Sequence, residues 1–169
     1  MTGAQRFALE TGPPGWVATA PVQVVRSIAL AAPVERAFAI LADHERWPLW
    51  FKGMRRTRVD GPATGVGALR TVWVGPMAVQ ERFTTWDPQR GVTFDVVSAS
   101  LPGLGSMTEE WLLTPEGDGS RLDITIAVRP AGPLRFASGL VRPIFASATK
   151  GCTGIAQHVT KTELDDFAP

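Results

Sequence analysis

The feature that most limits the possible folds is a succession of six strand-like segments in the middle of the chain. Each segment is about ten residues long and is rich in β-branched or aromatic residues, and glycine or proline turns separate the segments. Links this short join antiparallel strands, whereas parallel strands need a crossover of about a dozen residues. The pattern therefore predicts an antiparallel meander. Its segments are 53–60, 67–74, 77–87, 91–100, 105–115 and 119–129.

A further strand and two short helices are predicted before the meander. The β-branched segment Val22–Leu30 predicts a strand. Pro33 suits the first position of a helix, and apolar residues recur at helical spacing over 33–42. A second short helix is predicted over 44–51, with His44 expected at the surface.

The end of the chain changes from strand to helix periodicity. Its apolar stripe predicts one long helix over 134–166, about 50 Å in length if straight. We expect a kink or break at Pro143, because its ring would crowd the carbonyl of Gly139. Small residues at the centre of the stripe indicate either room above the sheet or close helix–sheet packing. The stripe comprises Val141, Ile144, Phe145, Ala148, Cys152, Ile155, Ala156 and Val159.

These elements predict an α+β fold, in which a curved seven-stranded antiparallel sheet wraps around a long C-terminal helix. A chain of 169 residues suits one domain, which we assign to 21–166. Residues 1–20 are predicted to be a flexible arm, with Trp16 as its candidate docking residue. A single helix about 10 Å wide cannot fill the curve of such a sheet, so we expect an internal cavity. Six tryptophans and eight phenylalanines, with no tyrosine, suit an apolar interior.

Four segments also resemble a known family. The run from Ala32 to Trp50 is similar to the opening of the START-like, Bet v 1-type (SRPBCC) proteins called polyketide cyclase/dehydrase or lipid-transport proteins. Gly65–Gly67, Glu81–Pro88 and Leu113–Gly119 look like the middle of that family. The resemblance covers about 21–165 and implies a helix-grip fold with a hydrophobic cavity. Family members include aromatases, cyclases and lipid or hormone carriers, but the matching segments carry no catalytic group across.

Side-chain alternation and the helical stripe select the residues expected to bind a ligand in the cavity. The segment 67–74 is ambiguous, because Leu69, Thr71 and Trp73 compete with the alternate set for the inner face. We place Trp73 inside, since an isolated tryptophan in solvent is unfavourable. The candidate ligand-binding residues are Trp50, Trp73, Glu81, Phe83, Phe94, Met107, Trp111, Val141, Phe145, Ala148 and Cys152.

Glu81 and Glu109 fall on the predicted inner face. A buried carboxyl group has a raised pKa and can act as a general acid. The favoured alternative is an ion pair with an arginine such as Arg70, Arg82 or Arg142, or exposure to solvent. Trp47, Trp50 and Phe51 either gate the cavity or close one end of the core, and the resemblance favours a structural role for Trp47.

Composition argues against several classes of function. Two histidines and one cysteine form no ligand-spaced cluster, so neither a metal site nor a cofactor is expected. The loop 61–67 lacks the ending of a phosphate-binding loop. A net charge of +1 argues against nucleic acid binding, and the basic run 52–58 is interpreted as a solvated strand face.

No apolar run reaches the roughly 20 residues of a membrane span, so no stable membrane insertion is expected. The first 20 residues lack the apolar core of a secretory signal, which predicts a cytoplasmic location. The expected assembly is a monomer or a homodimer.

The sequence thus predicts binding of a small hydrophobic molecule, lipid-like or aromatic, in an internal cavity. The alternative is a polyketide aromatase/cyclase or dehydratase that uses the same cavity, a hypothesis carried by the resemblance alone. A third hypothesis is a partner-binding protein that uses the N-terminal arm or the segment 134–142 as its interaction surface.

Overall fold

A computed structural model describes residues 6–136 and 138–165. Seven of its eight strands form one antiparallel sheet in the order β2-β8-β7-β6-β5-β4-β3, and the short β1 pairs with β6. The predicted α+β helix-grip architecture is confirmed. The strands are β1 (Phe7–Ala8), β2 (Val22–Leu30), β3 (Met54–Val59), β4 (Leu69–Val74), β5 (Met77–Asp87), β6 (Gly91–Ala99), β7 (Leu104–Glu116) and β8 (Gly119–Pro130).

Four α-helices and four 3-10 turns complete the described chain. Two short α-helices lie between β2 and β3, and the other two follow β8. The α-helices are α1 (Val34–Ala42), α2 (Trp47–Trp50), α3 (Ser138–Ala148) and α4 (Gly154–Asp165). The 3-10 turns are Trp16–Thr19, His44–Arg46, Gly132–Phe136 and Thr149–Thr153.

The inner face of the sheet carries the core. Alternate residues of β6, β7 and β8 are buried there, as the period of two predicts. The pairing register shifts twice along β5, between Gln80 and Glu81 and between Phe83 and Thr85. Such bulges increase strand twist and bend, which curls the sheet around the C-terminal segment.

The described part of the N-terminal arm is held on the sheet rather than loose. Pairing between β6 and β7 ends at Asp95, and β1 then pairs with Ser98 and Ala99 of β6. The side chain of Trp16 is buried, and its Nε1 donates a hydrogen bond of 2.9 Å to Thr108 Oγ1. Trp16 is therefore the docking residue, and the described part of the arm contacts the sheet through it and through β1. Residues 1–5 of the predicted arm lie outside the described residues.

The C-terminal helix is interrupted, but not where the sequence predicted. Of the predicted kink or break at Pro143, the break is wrong, because α3 continues through this residue. Pro143 has no amide hydrogen to donate to the carbonyl of Gly139, which lies in the first turn of α3. Because only this one early hydrogen bond is lost, the helix continues. The interruption is instead the 3-10 turn Thr149–Thr153.

Two glycines explain the position of this interruption. A Cβ on Gly154 would lie 1.9 Å from the carbonyl oxygen of Trp50, and one on Gly151 would lie 2.2 Å from that of Lys52. The amide of Lys52 donates a 3.0 Å hydrogen bond to the carbonyl of Gly151. The backbones of the turn and of the α2–β3 connection thus touch, which only glycine permits. The buried stripe also lacks one of its predicted members, because Ile144 is exposed.

The predicted inner face of β4 is wrong. Arg70 and Val72 are fully buried, whereas Trp73 is only partly buried and lies on the outer face. The guanidinium carbons of Arg56 and Arg58 lie 4.9 and 5.7 Å from the ring centroid of Trp73. Trp73 is therefore not isolated in solvent, because two cations cover its ring.

Candidate functional site

A small cavity lies between the concave face of the sheet and the C-terminal helical segment. Its volume is about 60 Å³. An apolar cavity that binds benzene is roughly 150 Å³, so this space is smaller than any lipid or polycyclic aromatic molecule. The lining residues are Trp47, Phe51, Met54, Val72, Val74, Met77, Val79, Glu81, Phe94, Met107, Glu109, Trp111, Ile126, Phe145, Ala148, Thr149 and Cys152.

Most of the predicted ligand-binding residues line this cavity. Trp50, Phe83 and Val141 are buried but do not line it, and Trp73 lies on the outer face. Trp50 packs behind Trp47, with ring centroids 4.8 Å apart, so Trp47 occupies the place expected of Trp50. Those that do line it are Glu81, Phe94, Met107, Trp111, Phe145, Ala148 and Cys152.

Methionines form part of the wall, and the sequence predicted Met107 but not Met54 or Met77. Met54, Met77 and Met107 all line the cavity, and they are the methionines of the described chain. Methionine is unbranched and has three rotatable bonds, so it adapts to spaces of different shape. Met54 and Met77 are the first residues of β3 and β5, where the alternation of apolar and polar residues cannot yet be read from the sequence.

A buried ion pair lies beneath the cavity. Arg70 of β4 and Glu81 of β5 are direct cross-strand partners, and the distance from Arg70 Nε to Glu81 Oε2 is 2.6 Å. The guanidinium carbon of Arg70 lies 3.7 Å from the ring centroid of Trp47. The rings of Phe83 and Phe94 lie slightly farther from it, at 5.1 and 5.3 Å. One carboxylate and three aromatic faces thus surround this cation, as the favoured ion-pair alternative for Glu81 predicted.

Glu109 is a second buried carboxyl group beside this pair. Burial, together with the charge of Glu81, raises the pKa of Glu109 to about 8. Trp111 Nε1 donates a 2.8 Å hydrogen bond to Glu109 Oε2. At neutral pH Glu109 is therefore predominantly protonated, and it presents a hydrogen-bond donor at the cavity wall.

The three ionisable groups form a neutral set. Burial raises the pKa of Glu81, but the Arg70 guanidinium opposes this shift. Since the guanidinium cannot lose its proton in a protein, we assign the single negative charge to Glu81, which bonds it directly. We call these three residues the buried triad: Arg70 carries a positive charge, Glu81 carries a negative charge, and Glu109 is neutral.

His44 is buried, contrary to its predicted exposure. Its ring stacks on Phe83 with centroids 4.7 Å apart and meets Trp86 edge-on. Burial, together with the positive charge of Arg70, lowers the pKa of His44 to about 3. The imidazole is therefore neutral at physiological pH and serves as part of the aromatic core.

The remaining titratable group of the cavity is the thiol of Cys152. Burial raises the pKa of this thiol well above its ordinary value, and Glu109, once it has ionised, acts in the same direction. A thiol held in its protonated form is a poor nucleophile. Within the described ranges, histidine, cysteine and acidic side chains form no group of three or more that could hold a metal ion.

Comparison with known proteins places these features in a family. The family model described as polyketide cyclase/dehydrase and lipid transport matches residues 21–159. An uncharacterized protein of Mycobacterium tuberculosis is 30% identical over 134 residues, which are 78% of this chain and 80% of that protein. A START superfamily protein from Mycobacterium smegmatis superposes with a TM-score of 0.64 at 13% identity, covering 81% of this chain and 98% of the other. The Zhui aromatase/cyclase from Streptomyces superposes with a TM-score of 0.66 at 15% identity, covering 82% and 93%.

Proposed function

Since this chain belongs to the family of polyketide cyclase/dehydrase and lipid transport proteins, we propose that it binds a small, mostly apolar molecule in the cavity beneath α3. The observation that supports this proposal most is the composition of the wall. Aromatic rings and methionines surround the space, and the neutral Glu109 offers a hydrogen-bond donor among them. Such a wall suits a ligand with an apolar body and one hydrogen-bond acceptor, for instance a carbonyl oxygen.

The cavity has to enlarge for this function. A volume of about 60 Å³ accepts water-sized molecules only. Rotation of Met54, Met77 and Met107 opens space without moving the backbone. The break at Thr149–Thr153 also lets α3 move as a unit separate from α4, and Phe145 and Ala148 of α3 line the cavity.

Filling the cavity is the direct test of this proposal. The probe is N-phenyl-1-naphthylamine, a neutral aromatic molecule that fluoresces in apolar surroundings. We expect saturable binding with a micromolar dissociation constant, and Ala148→Phe is expected to weaken it by about tenfold or more because the new ring occupies the site. Ala39→Phe, the same substitution on the exposed face of α1, is the control and should bind as the unaltered protein does. The proposal fails if binding is absent, or if the two variants bind equally well.

A second candidate function, polyketide cyclisation or dehydration, is favoured by one observation. Glu109 carries a proton at neutral pH and faces the cavity, as a general acid requires. In aldol ring closure, the enol carbon of the substrate would form a bond to a carbonyl carbon while that carbonyl oxygen takes the proton of Glu109, and the enol O–H proton would then pass to the Glu109 carboxylate. In loss of water, the enol would become a carbonyl as the C–O bond to the hydroxyl group breaks, the departing hydroxyl group would take the proton of Glu109, and the enol O–H proton would again restore the acid.

Glu109→Gln separates this candidate from simple binding. Glutamine keeps the size and polarity of the side chain but has no transferable acid proton. If the protein is a catalyst, conversion of a linear poly-β-ketothioester, followed by mass spectrometry, should fall by about 10²–10⁴-fold, while probe binding is retained. Glu110→Gln, on the opposite face of β7, serves as the matched control. Equal conversion by both variants, or none by the unaltered protein, removes the catalytic candidate.

A further inference from the structure

The outer flank of α3 and of the turn before it is unusually apolar. Phe136 is 80% exposed, Leu140 is 71% exposed and Ile144 is 66% exposed. Leu140 and Ile144 are one helical turn apart and therefore lie on the same side of α3. Val141 and Phe145, on the adjacent side, are buried in the core. We call Phe136, Leu140 and Ile144 the α3 flank.

The α3 flank continues onto the neighbouring loop. Leu134 is partly exposed and lies against Gly103 of the β6–β7 connection, where an added Cβ would be 2.4 Å from Leu134 Cδ1. Leu101, in the same connection, is also exposed. Large apolar side chains thus protrude from two chain segments at one end of the molecule. Several large exposed apolar side chains on neighbouring segments are typical of an interaction site.

The charge around the α3 flank is one-sided. No acidic residue occurs from 124 to 162, although the whole protein is almost neutral. The guanidinium carbon of Arg135 lies 4.5 Å from the ring centroid of Phe136, a residue of the α3 flank. Glu10, whose amide bonds to Gly105, brings one acidic side chain near this end of the sheet. The basic residues of this stretch that belong to α3 or to the turns on either side of it are Arg135, Arg142 and Lys150.

We propose that the α3 flank docks on the surface of an anionic lipid bilayer. Protruding phenylalanine, leucine and isoleucine beside arginine fit the interface between acyl chains and anionic headgroups. A second protein would need a matching apolar surface that is also acidic, whereas anionic lipids supply both properties at once. None of the helices in the described ranges is long and apolar enough to span a membrane, so this contact is peripheral. Docking would bring α3, whose Phe145 and Ala148 line the cavity, against the lipid.

Vesicle co-sedimentation tests this inference on the full chain. One set of vesicles contains phosphatidylglycerol and phosphatidylcholine, and the other contains phosphatidylcholine alone. We expect the protein to partition onto the anionic vesicles and to be released by salt. The variant Phe136→Ser/Ile144→Ser should bind more weakly by about tenfold or more, and Arg135→Gln should lose roughly fivefold.

Controls keep the test specific to this surface. Val66→Ser and Val25→Ser remove exposed apolar side chains elsewhere, at 71% and 64% exposure, and should bind vesicles normally. The inference is overturned if the unaltered protein does not bind anionic vesicles, or if the flank variant binds as well as the Val66 variant. Self-association that is lost in the flank variant, without vesicle binding, would assign the surface to a second copy of the chain instead. Cavity binding of N-phenyl-1-naphthylamine, measured without vesicles, is independent of all these outcomes.

Discussion

Glu81→Gln is expected to lower the free energy of unfolding by about 3–5 kcal/mol. The substitution leaves the fully buried Arg70 without its carboxylate, and a guanidinium cannot become neutral by losing a proton. The aromatic faces of Trp47, Phe83 and Phe94 remain but do not replace a negative charge at hydrogen-bond distance. Urea unfolding at pH 7 measures the loss.

Removal of the arginine instead of the glutamate should lower the free energy of unfolding by a smaller amount. Arg70→Met leaves Glu81 alone in the core, but a carboxyl group can take up a proton and become neutral, as Glu109 already does. We therefore expect Arg70→Met to destabilise the fold less than Glu81→Gln. Asp43→Asn, which removes an exposed ion pair with Arg46, is the control and should leave the unfolding midpoint nearly unchanged.

Glu109, the third member of the buried triad, should partly compensate for the loss of the Glu81 charge. The charge of Glu81 is one cause of the raised pKa of Glu109, while Arg70 lowers that pKa. In Glu81→Gln, Glu109 should therefore ionise more readily and partly replace the missing charge. The double variant Glu81→Gln/Glu109→Gln should lose more stability than the sum of the single losses, by about 1–3 kcal/mol. Additive losses, or a Glu81→Gln protein as stable as the control, would show that the triad is not a coupled unit.

The strands were predictable because their signals are local. The strands Val22–Leu30 and Met77–Asp87 begin and end at the predicted residues, since β-branched runs and turn residues lie within each segment. The face of β4 was not predictable in the same way, because both of its alternating sets contain apolar residues. Cross-strand pairing of Arg70 with Glu81 decides that face, and this contact depends on the register of another strand.

The helix break and the cavity wall depended on even more distant contacts. Gly151 and Gly154 were visible in the sequence, but the carbonyls of Trp50 and Lys52 that require them lie about 100 residues earlier. Ala148 and Cys152 of the same stripe line the cavity. The sequence left open whether small residues allow close packing or leave room above the sheet, and both occur. Gly151 and Gly154 allow close packing of the backbones, whereas Ala148 and Cys152 border the cavity.

Stability should be nearly constant between about pH 4.5 and 6.5 and should fall on either side, because two buried groups have opposite effects on it. The folded state raises the pKa of Glu109 from 4.5 to about 8, so between these values the native protein binds more protons than the unfolded chain. Its contribution to stability is present below pH 4.5 and is lost as the pH rises to 8. The pKa of His44 falls from 6.5 to about 3, so its contribution is present above pH 6.5 and is lost as the pH falls to 3.

Between pH 4.5 and 6.5, Glu109 and His44 each change the free energy of unfolding by about 1.4 kcal/mol per pH unit, in opposite directions, so the two effects cancel. Above pH 6.5 Glu109 acts alone, so we expect a loss of roughly 2 kcal/mol up to pH 8. Below pH 4.5 His44 acts without this opposition, and the loss on acidification is of similar size. The lowered pKa values of Asp60 and Asp123 add to this acidic loss.

Replacing either group alone should reveal the pH dependence of stability that the other group produces. In Glu109→Gln, stability should rise by roughly 3 kcal/mol from pH 4.5 to 6.5 and then stay level, because the histidine effect is no longer opposed. In His44→Phe, which keeps an aromatic ring against Phe83, stability should instead fall steadily from pH 4.5 to 8. Urea unfolding at half-unit steps of pH measures both curves. If Glu109→Gln keeps the alkaline loss of the unaltered protein, then Glu109 is already ionised in the folded state, and both the neutral buried triad and the acid role of Glu109 are wrong.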